Sequence, residues 1–288
     1  MYAWGNKSSY GLIGVEHDGH QRESIIRPSL IESLAQRRIT SISCGNNYTL
    51  AIDDEGNLFS WGYGRHGVLG LGDEEDRLKP TLVKENICDR IVYVDAGFSH
   101  CGIVTENGKI LMAGKGENGE LGLGSRSLSD SMFFRPIRSF SDYISSAHFK
   151  ELSCSKGELW GYTLALTTEG KVYSWGNGCE GQLGIGNLET CFAPGVINPK
   201  DFNDEEVVHI CAGGSYSVAL TTSGKVFSWG FCVSTDPRIH QTTVLKATTI
   251  PSHKDGIFIV PKEEKSLRAI GKVVDIKSSC YHTVVLIE

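Results

Sequence analysis

The dipeptide Trp-Gly returns four times along this chain, at Trp4-Gly5, Trp61-Gly62, Trp175-Gly176 and Trp229-Gly230, and Ala113-Gly114 fills the one gap. The intervals between these anchors are 57, 52, 62 and 54 residues. A phrase that recurs at such a period marks an array of supersecondary modules, each too small to bury its own apolar face and obliged to stack on its neighbours. Whatever one copy folds into must therefore fit against itself.

The residues between the anchors say what the module is made of. Upstream of the four internal anchors lie DDEGNLFSWG, TENGKILMAG, TTEGKVYSWG and TTSGKVFSWG. In each, a polar tetrad containing Gly56, Gly108, Gly170 or Gly224 separates two apolar runs, and glycine accepts the positive φ of a tight hairpin at no steric cost. The strand that follows alternates, with Val172 and Ser174 against Tyr173 and Trp175, which is the period of a pleated strand. A second phrase precedes each hairpin: ISCGNNYTLAI, VDAGFSHCGIV, the looser LSCSKGELWGYTLAL, HICAGGSYSVAL and IKSSCYHTVVL. Tyr48, His100, Tyr162, Tyr216 and His282 hold one equivalent place in these copies. After the anchor, three copies carry GVLGLG (67–72), GELGLG (119–124) and GQLGIG (181–186). Short strands at regular spacing with turn signals between them predict an all-β chain built from four-stranded blades of about fifty residues. A short helix is expected only in a connection, within Ser29 to Arg38.

Taken together, the small-Gly-x-x-His-Thr strand, the Gly-Lys hairpin, the Trp-Gly and the GQLGLG turn resemble the repeat of the regulator of chromosome condensation family over nearly the whole chain. Neither the shorter-spaced Trp-Asp of WD repeats nor the paired glycines of kelch repeats are present. The resemblance implies a β-propeller. The family's usual ring has seven blades, whereas five anchors and five His-Thr-type strands predict about five here, in a single domain over residues 1–288. Trp4, Trp61, Trp175, Trp229, Gly62, Gly176, Gly230, His100 and His282 are expected to be structural repeat positions. The last unit stops at HTVVLIE, one Trp-Gly strand short, so Met1 to Trp4 is expected beside the strand ending near Leu286, closing the ring by pairing of the N- and C-terminal strands, the alternative being an arc that lacks blades.

No catalytic constellation stands out. The GxLGxG phrases follow Trp-Gly instead of joining a strand to a helix, as a dinucleotide site requires, and Gly108-Lys109, Gly170-Lys171 and Gly224-Lys225 are followed by Ile, Val and Val where a phosphate loop needs Ser or Thr. Nine histidines form no HxH or HxxxH pair and no cluster with cysteine. No GxSxG elbow is present. The chain is therefore expected to be a non-enzyme without cofactor or metal. Its nine cysteines are odd in number and lack a CxxC pair, so those at strand positions, such as Cys44, Cys154 and Cys211, are expected as reduced core residues.

A formal charge of -6 and a pI near 5.9 disfavour nucleic acid as a partner and favour a basic protein. Two acidic runs bear on this, Asp73-Glu74-Glu75-Asp76 after GVLGLG and Asp201 to Glu206. The first is the candidate partner-binding site, with carboxylates that steer a basic surface. The resemblance implies a protein-binding propeller whose activity is guanine-nucleotide exchange on a small Ran-like GTPase, the alternative being a scaffold or adaptor without exchange activity. Light sensing through clustered tryptophans, known for one plant member, needs tryptophans beyond those of the repeat, and only Trp160 is extra. The irregular connection from Phe231 to Lys272 is a second place for recognition. The opening MYAWGNKSSYG has neither a basic nor an apolar signal region, and no run approaches the roughly 18 apolar residues of a spanning helix. A monomer in cytoplasm or nucleus, neither secreted nor at a membrane, is expected.

Overall fold

Gly56, Gly108, Gly170 and Gly224 sit at φ of 83, 71, 75 and 80°. Each donates its N–H to the carbonyl three residues back, on Asp53, Thr105, Thr167 and Thr221, and so closes a tight turn. The computed structural model describes residues 1–5, 13–15, 25–124, 130–137, 146–231, 247–249, 258–265, 267, 271–280 and 282–288. At the N-terminus β1 (Tyr2–Gly5) and β2 (Ile25–Leu30) form a two-stranded antiparallel sheet. The first four-stranded blade is β3 (Ile39–Cys44), β4 (Tyr48–Asp53), β5 (Leu58–Gly62) and β6 (Arg77–Leu82). The second is β7 (Ile91–Ala96), β8 (His100–Thr105), β9 (Ile110–Gly114) and β10 (Ser131–Pro136). The third is β11 (Phe149–Cys154), β12 (Tyr162–Thr167), β13 (Val172–Gly176) and β14 (Cys191–Val196). In the fourth, β15 (Val207–Ala212), β16 (Tyr216–Thr221) and β17 (Val226–Gly230) take their outer strand from further along the chain. The intervening β18 (Ala247–Thr249) goes elsewhere, and β19 (Phe258–Glu263) completes that blade. A fifth sheet has three strands, in the order β18, then β21 (Thr283–Ile287), then β20 (Val273–Ser278).

The turn glycines set one register four times over. Tyr48 pairs with Gly62, His100 with Gly114, Tyr162 with Gly176 and Tyr216 with Gly230. A slip of one residue would send every inward side chain to the wrong face, and no slip occurs between these hairpins. The middle strands β4, β8, β12 and β16 are buried at every residue. Both of their faces are apolar because each blade lies between two others, and the core is a series of inter-blade layers. Leu50 and Ile52 share one layer with Val94 and Ile103, Met112 another with Leu152 and Trp175, Leu164 a third with Ile210 and Trp229, and Leu220 a fourth with Ile276 and Val285.

The GxLGxG turn has a packing role in these layers. A Cβ on Gly122 would fall 2.9 Å from the Trp175 indole nitrogen, and one on Gly184 would fall 2.6 Å from that of Trp229. The second glycine of each turn is thus the seat for the next blade's tryptophan. In the second blade Ala113 stands where tryptophan is expected, and the buried ring of Phe134 on β10 takes the place, 2.3 Å from a Cβ built on Gly70.

Three expectations change. Met1 to Trp4 does include a strand, but it pairs with β2, Tyr2 facing Leu30, and not with the strand ending near Leu286. The edge of β21 is filled instead by β18, with Ala247 opposite Leu286, so its backbone groups are already satisfied by a strand from the long connection. Trp4 is consequently 62% exposed, whereas Trp61, Trp175 and Trp229 are buried. The two ends of the array are uncovered to match: Val284 and Leu286 are 44% and 50% exposed, while Val218 and Leu220 at the same places one blade earlier are buried. Cys154 and Cys211 are buried thiols, but Cys44 lies on the open first blade and is exposed. The short helix expected within Ser29 to Arg38 is present, as a single 3-10 turn, Glu32–Leu34. Among the described residues no helix is long and apolar enough to cross a membrane.

Replacing Trp175 or Trp229 by Ala is expected to cost about 3 to 5 kcal/mol, as for other buried aromatic residues. Trp4→Ala should cost less than about 0.5 kcal/mol. Denaturant unfolding of the three variants checks this difference, and equal losses would contradict the packing described.

Candidate functional site

The residue that opens each middle strand reaches into the following blade. Tyr48 Oη shares its proton between the carbonyls of Gly97 and His100, at 3.1 and 2.8 Å. His100 Nε2 lies 3.0 Å from Thr163 Oγ1, Tyr162 Oη donates to the Tyr216 carbonyl, and Tyr216 Oη donates to the Ser279 carbonyl at 3.1 Å. The next residue along makes a second link. Cys101 Sγ, Thr163 Oγ1 and Ser217 Oγ donate to the carbonyls of Val68, Glu120 and Gln182 in the preceding blade's GxLGxG turn. Glu120 and Gln182 also accept from Trp175 and Trp229 Nε1 at 2.8 and 2.9 Å. His282 ends the series and is exposed, 3.3 Å from Ser279 Oγ. Burial, and then the positive charge of Lys156, lowers the pKa of His100 to about 3.

On the inner strands, Asp95 joins three blades: it accepts from Ser43 Oγ at 3.1 Å, from Cys154 N at 2.7 Å and from Lys156 Nζ at 2.9 Å. Glu151 likewise accepts from Ile210 N at 3.3 Å and lies 3.4 Å from His209 Nδ1. These groups are consumed by linking blades.

The acidic run 73–76 divides into two roles. Asp76 Oδ1 accepts from Gly64 N at 2.9 Å. Asp73 accepts from Glu75 N at 3.0 Å and from Arg77 Nη2 at 2.7 Å. Although desolvation opposes it, this bonding holds the Asp73 carboxyl below its usual range. Glu74 and Glu75 are exposed, Glu74 accepting from His66 N at 3.0 Å and Glu75 lying 3.6 Å from Arg77 Nη1. Asp73 and Asp76 thus brace the loop, and Glu74, Glu75 and Asp76 are exposed on it. The run 201–206 is more heavily used. Phe202 is buried edge-on to Phe227 and Trp229, and Glu205 bonds Lys225 and Ser223, which against the effect of burial brings its pKa down to about 2.

The fold also brings together residues that sequence spacing did not. His66, in the 3-10 turn Arg65–Gly67, places Nδ1 2.6 Å from Asp130 Oδ2 at the entrance to β10. Asp130 repeats the role of Asp76, its Oδ1 accepting from Gly116 N at 3.2 Å. Aligning the loops of successive repeats would have put both residues in one layer; local motifs could not, since they are 64 residues apart. Much of the connection from Phe231 to Lys272, including 232–246 and 250–257, lies outside the described residues.

A family model described as the regulator of chromosome condensation (RCC1) repeat matches residues 1–52, 55–104 and 169–220, more than half of the chain, and a second model of that description matches 39–68. The chain belongs to the regulator of chromosome condensation repeat family. It is 33% identical over 231 residues to the Ultraviolet-B receptor UVR8 of Arabidopsis thaliana, covering 80% of this chain and 48% of that protein. It is 28% identical over 292 residues to the human E3 ubiquitin-protein ligase HERC2, covering 100% of this chain but 6% of that protein. Among solved structures it is similar to human WBSCR16, with a TM-score of 0.78 at 22% identity over 97% of this chain and 65% of that one. Prp20p of Saccharomyces cerevisiae gives 0.73 at 20% over 99% and 63%. The chain thus spans about half of the first relative, a small part of the second and less than two thirds of either structure. At these identities the two structures show the fold alone.

In this RCC1-repeat array His100 is the one middle-strand opener among the buried four that can titrate near neutrality when unfolded. The unfolded ring takes a proton near 6.5, whereas the folded one holds out to about 3, so the unfolded state binds the extra proton and stability falls as pH drops through that window. The full effect is on the order of 5 kcal/mol. His100→Tyr, borrowing the residue of three other blades, should flatten the loss of stability between those pH values. Parallel profiles in chemical unfolding would assign the acid sensitivity to other groups.

Proposed function

We propose that this chain acts by binding a protein, that the loop layer carrying Glu74 and Glu75 is the contact surface, and that the partner is a small GTPase of the Ran type whose nucleotide release it promotes. The proposal takes residues 1–288 as one propeller unit, monomeric, in cytoplasm or nucleus, without cofactor or covalent chemistry. The observation that carries it is the exposure of Glu74, Glu75 and Asp76 on a loop that Asp73 and Asp76 brace, Asp73 through Arg77 and Asp76 through Gly64 N. Carboxylates presented on a loop fixed from below give a basic partner an oriented target, and the overall charge of -6 adds to the attraction. The solved structure of Prp20p is described with its binding to Gsp1p and histones, which supports a protein partner for a chain of this fold.

Exchange by such a surface is a linkage effect. A propeller that binds the nucleotide-free GTPase more tightly than the loaded one lowers nucleotide affinity by the same factor. No bond need be made or broken by the propeller.

Glu74→Gln with Glu75→Gln is expected to lower the association rate with the GTPase several-fold at low salt, and the difference should shrink as salt is raised, because exposed charges are screened over about 8 to 10 Å at physiological ionic strength. Surface-sensor kinetics across a salt series measures this; an unchanged rate at low salt removes the loop from the interface. Release of labelled GDP should quicken when the chain is added, and binding without quickened release would assign a scaffold instead of an exchange factor.

A further inference from the structure

Where the first blade's loop meets the second blade, His66, Glu74 and Asp130 each bring one ligand-type atom to within 4.8 Å of the others. The three are held by separate devices. Gly116 N fixes one oxygen of Asp130 at 3.2 Å, the Glu74 carboxylate is hooked to His66 N at 3.0 Å, and His66 Nδ1 lies 2.6 Å from the other Asp130 oxygen. Among the described residues neither Glu74 nor Asp130 pairs with a lysine or arginine, since Arg77 is committed to Asp73 and Glu75. Among the described residues, two carboxylates around one imidazole therefore lack a full counter-charge, an arrangement that favours taking up a cation. The repeat does not demand this set. The place of His66 is held by Asn118 and Glu180 in the next two blades, so the imidazole is particular to this junction.

We propose that His66, Glu74 and Asp130 form a binding site for a divalent transition-metal ion of the zinc class, with the remaining coordination positions open to water or to a partner's side chain. Mixed imidazole and carboxylate donors suit zinc, whereas calcium prefers oxygen donors alone. Zinc holds such atoms at about 2.0 to 2.2 Å, which sets two tetrahedral ligands about 3.3 Å apart. The close His66–Asp130 pair needs to open only slightly for Nδ1 and the Asp130 oxygen to face one ion instead of each other. Exposed Glu74 supplies the largest movement. The ion would clamp the loop of one blade to the outer strand of the next.

The site is independent of the protein-binding reading, because its test measures metal alone. The full chain, with the thiols that are exposed among the described residues removed by Cys44→Ser and Cys88→Ser and stripped with chelator, is titrated with zinc chloride by calorimetry. One ion per chain is expected, weakened at least tenfold by His66→Ala and by Glu74→Gln, the second being an exposed substitution that leaves folding intact. Zinc should raise the melting temperature of the parent more than that of either variant. Cobalt in place of zinc should show the spectrum of a nitrogen and oxygen set, without an intense thiolate charge-transfer band. Equal zinc affinity and stoichiometry in parent and both variants, or calcium bound as tightly as zinc, would overturn the proposal.

Discussion

Every middle strand from β4 to β16 is apolar on both faces, and the residue that opens it hydrogen-bonds into the blade that follows. Neither arrangement is stable in one blade alone. The apolar faces need a neighbour to exclude water, and the hydroxyl or imidazole needs the neighbour's backbone or hydroxyl as its partner, or it is left buried and unsatisfied. Stability in such an array is carried by junctions between copies. That explains why the sheets keep one register and why deviations collect at the ends, where Trp4, Cys44 and His282 are exposed although they occupy repeat positions.

The junctions tolerate substitution when the filled volume is conserved across two elements at once. Tryptophan is seated over a glycine of the preceding blade and gives its indole proton to that loop's carbonyl in the third and fourth blades. In the second blade the indole is missing at Ala113, and the space is filled from the outer strand by Phe134, while Cys101 keeps the second link to Val68 that Thr163 and Ser217 make in the later blades. An apolar ring of different origin restores the packing because a core is sensitive to filled volume more than to which strand supplies it. The sequence period therefore survives the loss of its most visible residue.

The blade and its register were legible because they are local: hairpin glycine, alternating strand and Trp-Gly lie within about ten residues, and each copy reports the same answer. What lay beyond the period was not. The edge of β21 is taken by β18, a three-residue strand in the least repetitive connection, and no pattern in Ala247–Thr249 distinguishes it from loop. The acidic run 73–76 was visible as charge, but which carboxylates would be spent on Gly64 and Arg77 depends on a loop closed by left-handed glycines. The meeting of His66 with Asp130 required knowing that successive blades place their loops in one layer.

That layering is also what makes room for function. The inner-strand charges are committed to crossing between blades, Asp95 to Ser43 and Lys156, and Glu151 to His209. Changing them would disturb the array itself. The GxLGxG turns and the residues that lead into them differ: their carbonyls and glycines hold the neighbouring blade, while the residue before each turn changes from His66 to Asn118 to Glu180, and at His66 the backbone itself goes left-handed, at φ 62°. Backbone supplies the structure there and side chains are released from it. Recognition that must be particular to one protein, in a fold made of near-identical copies, has to come from positions where the copies are free to disagree, and the junction of the first two blades is where this chain gathers an imidazole and exposed carboxylates at such positions.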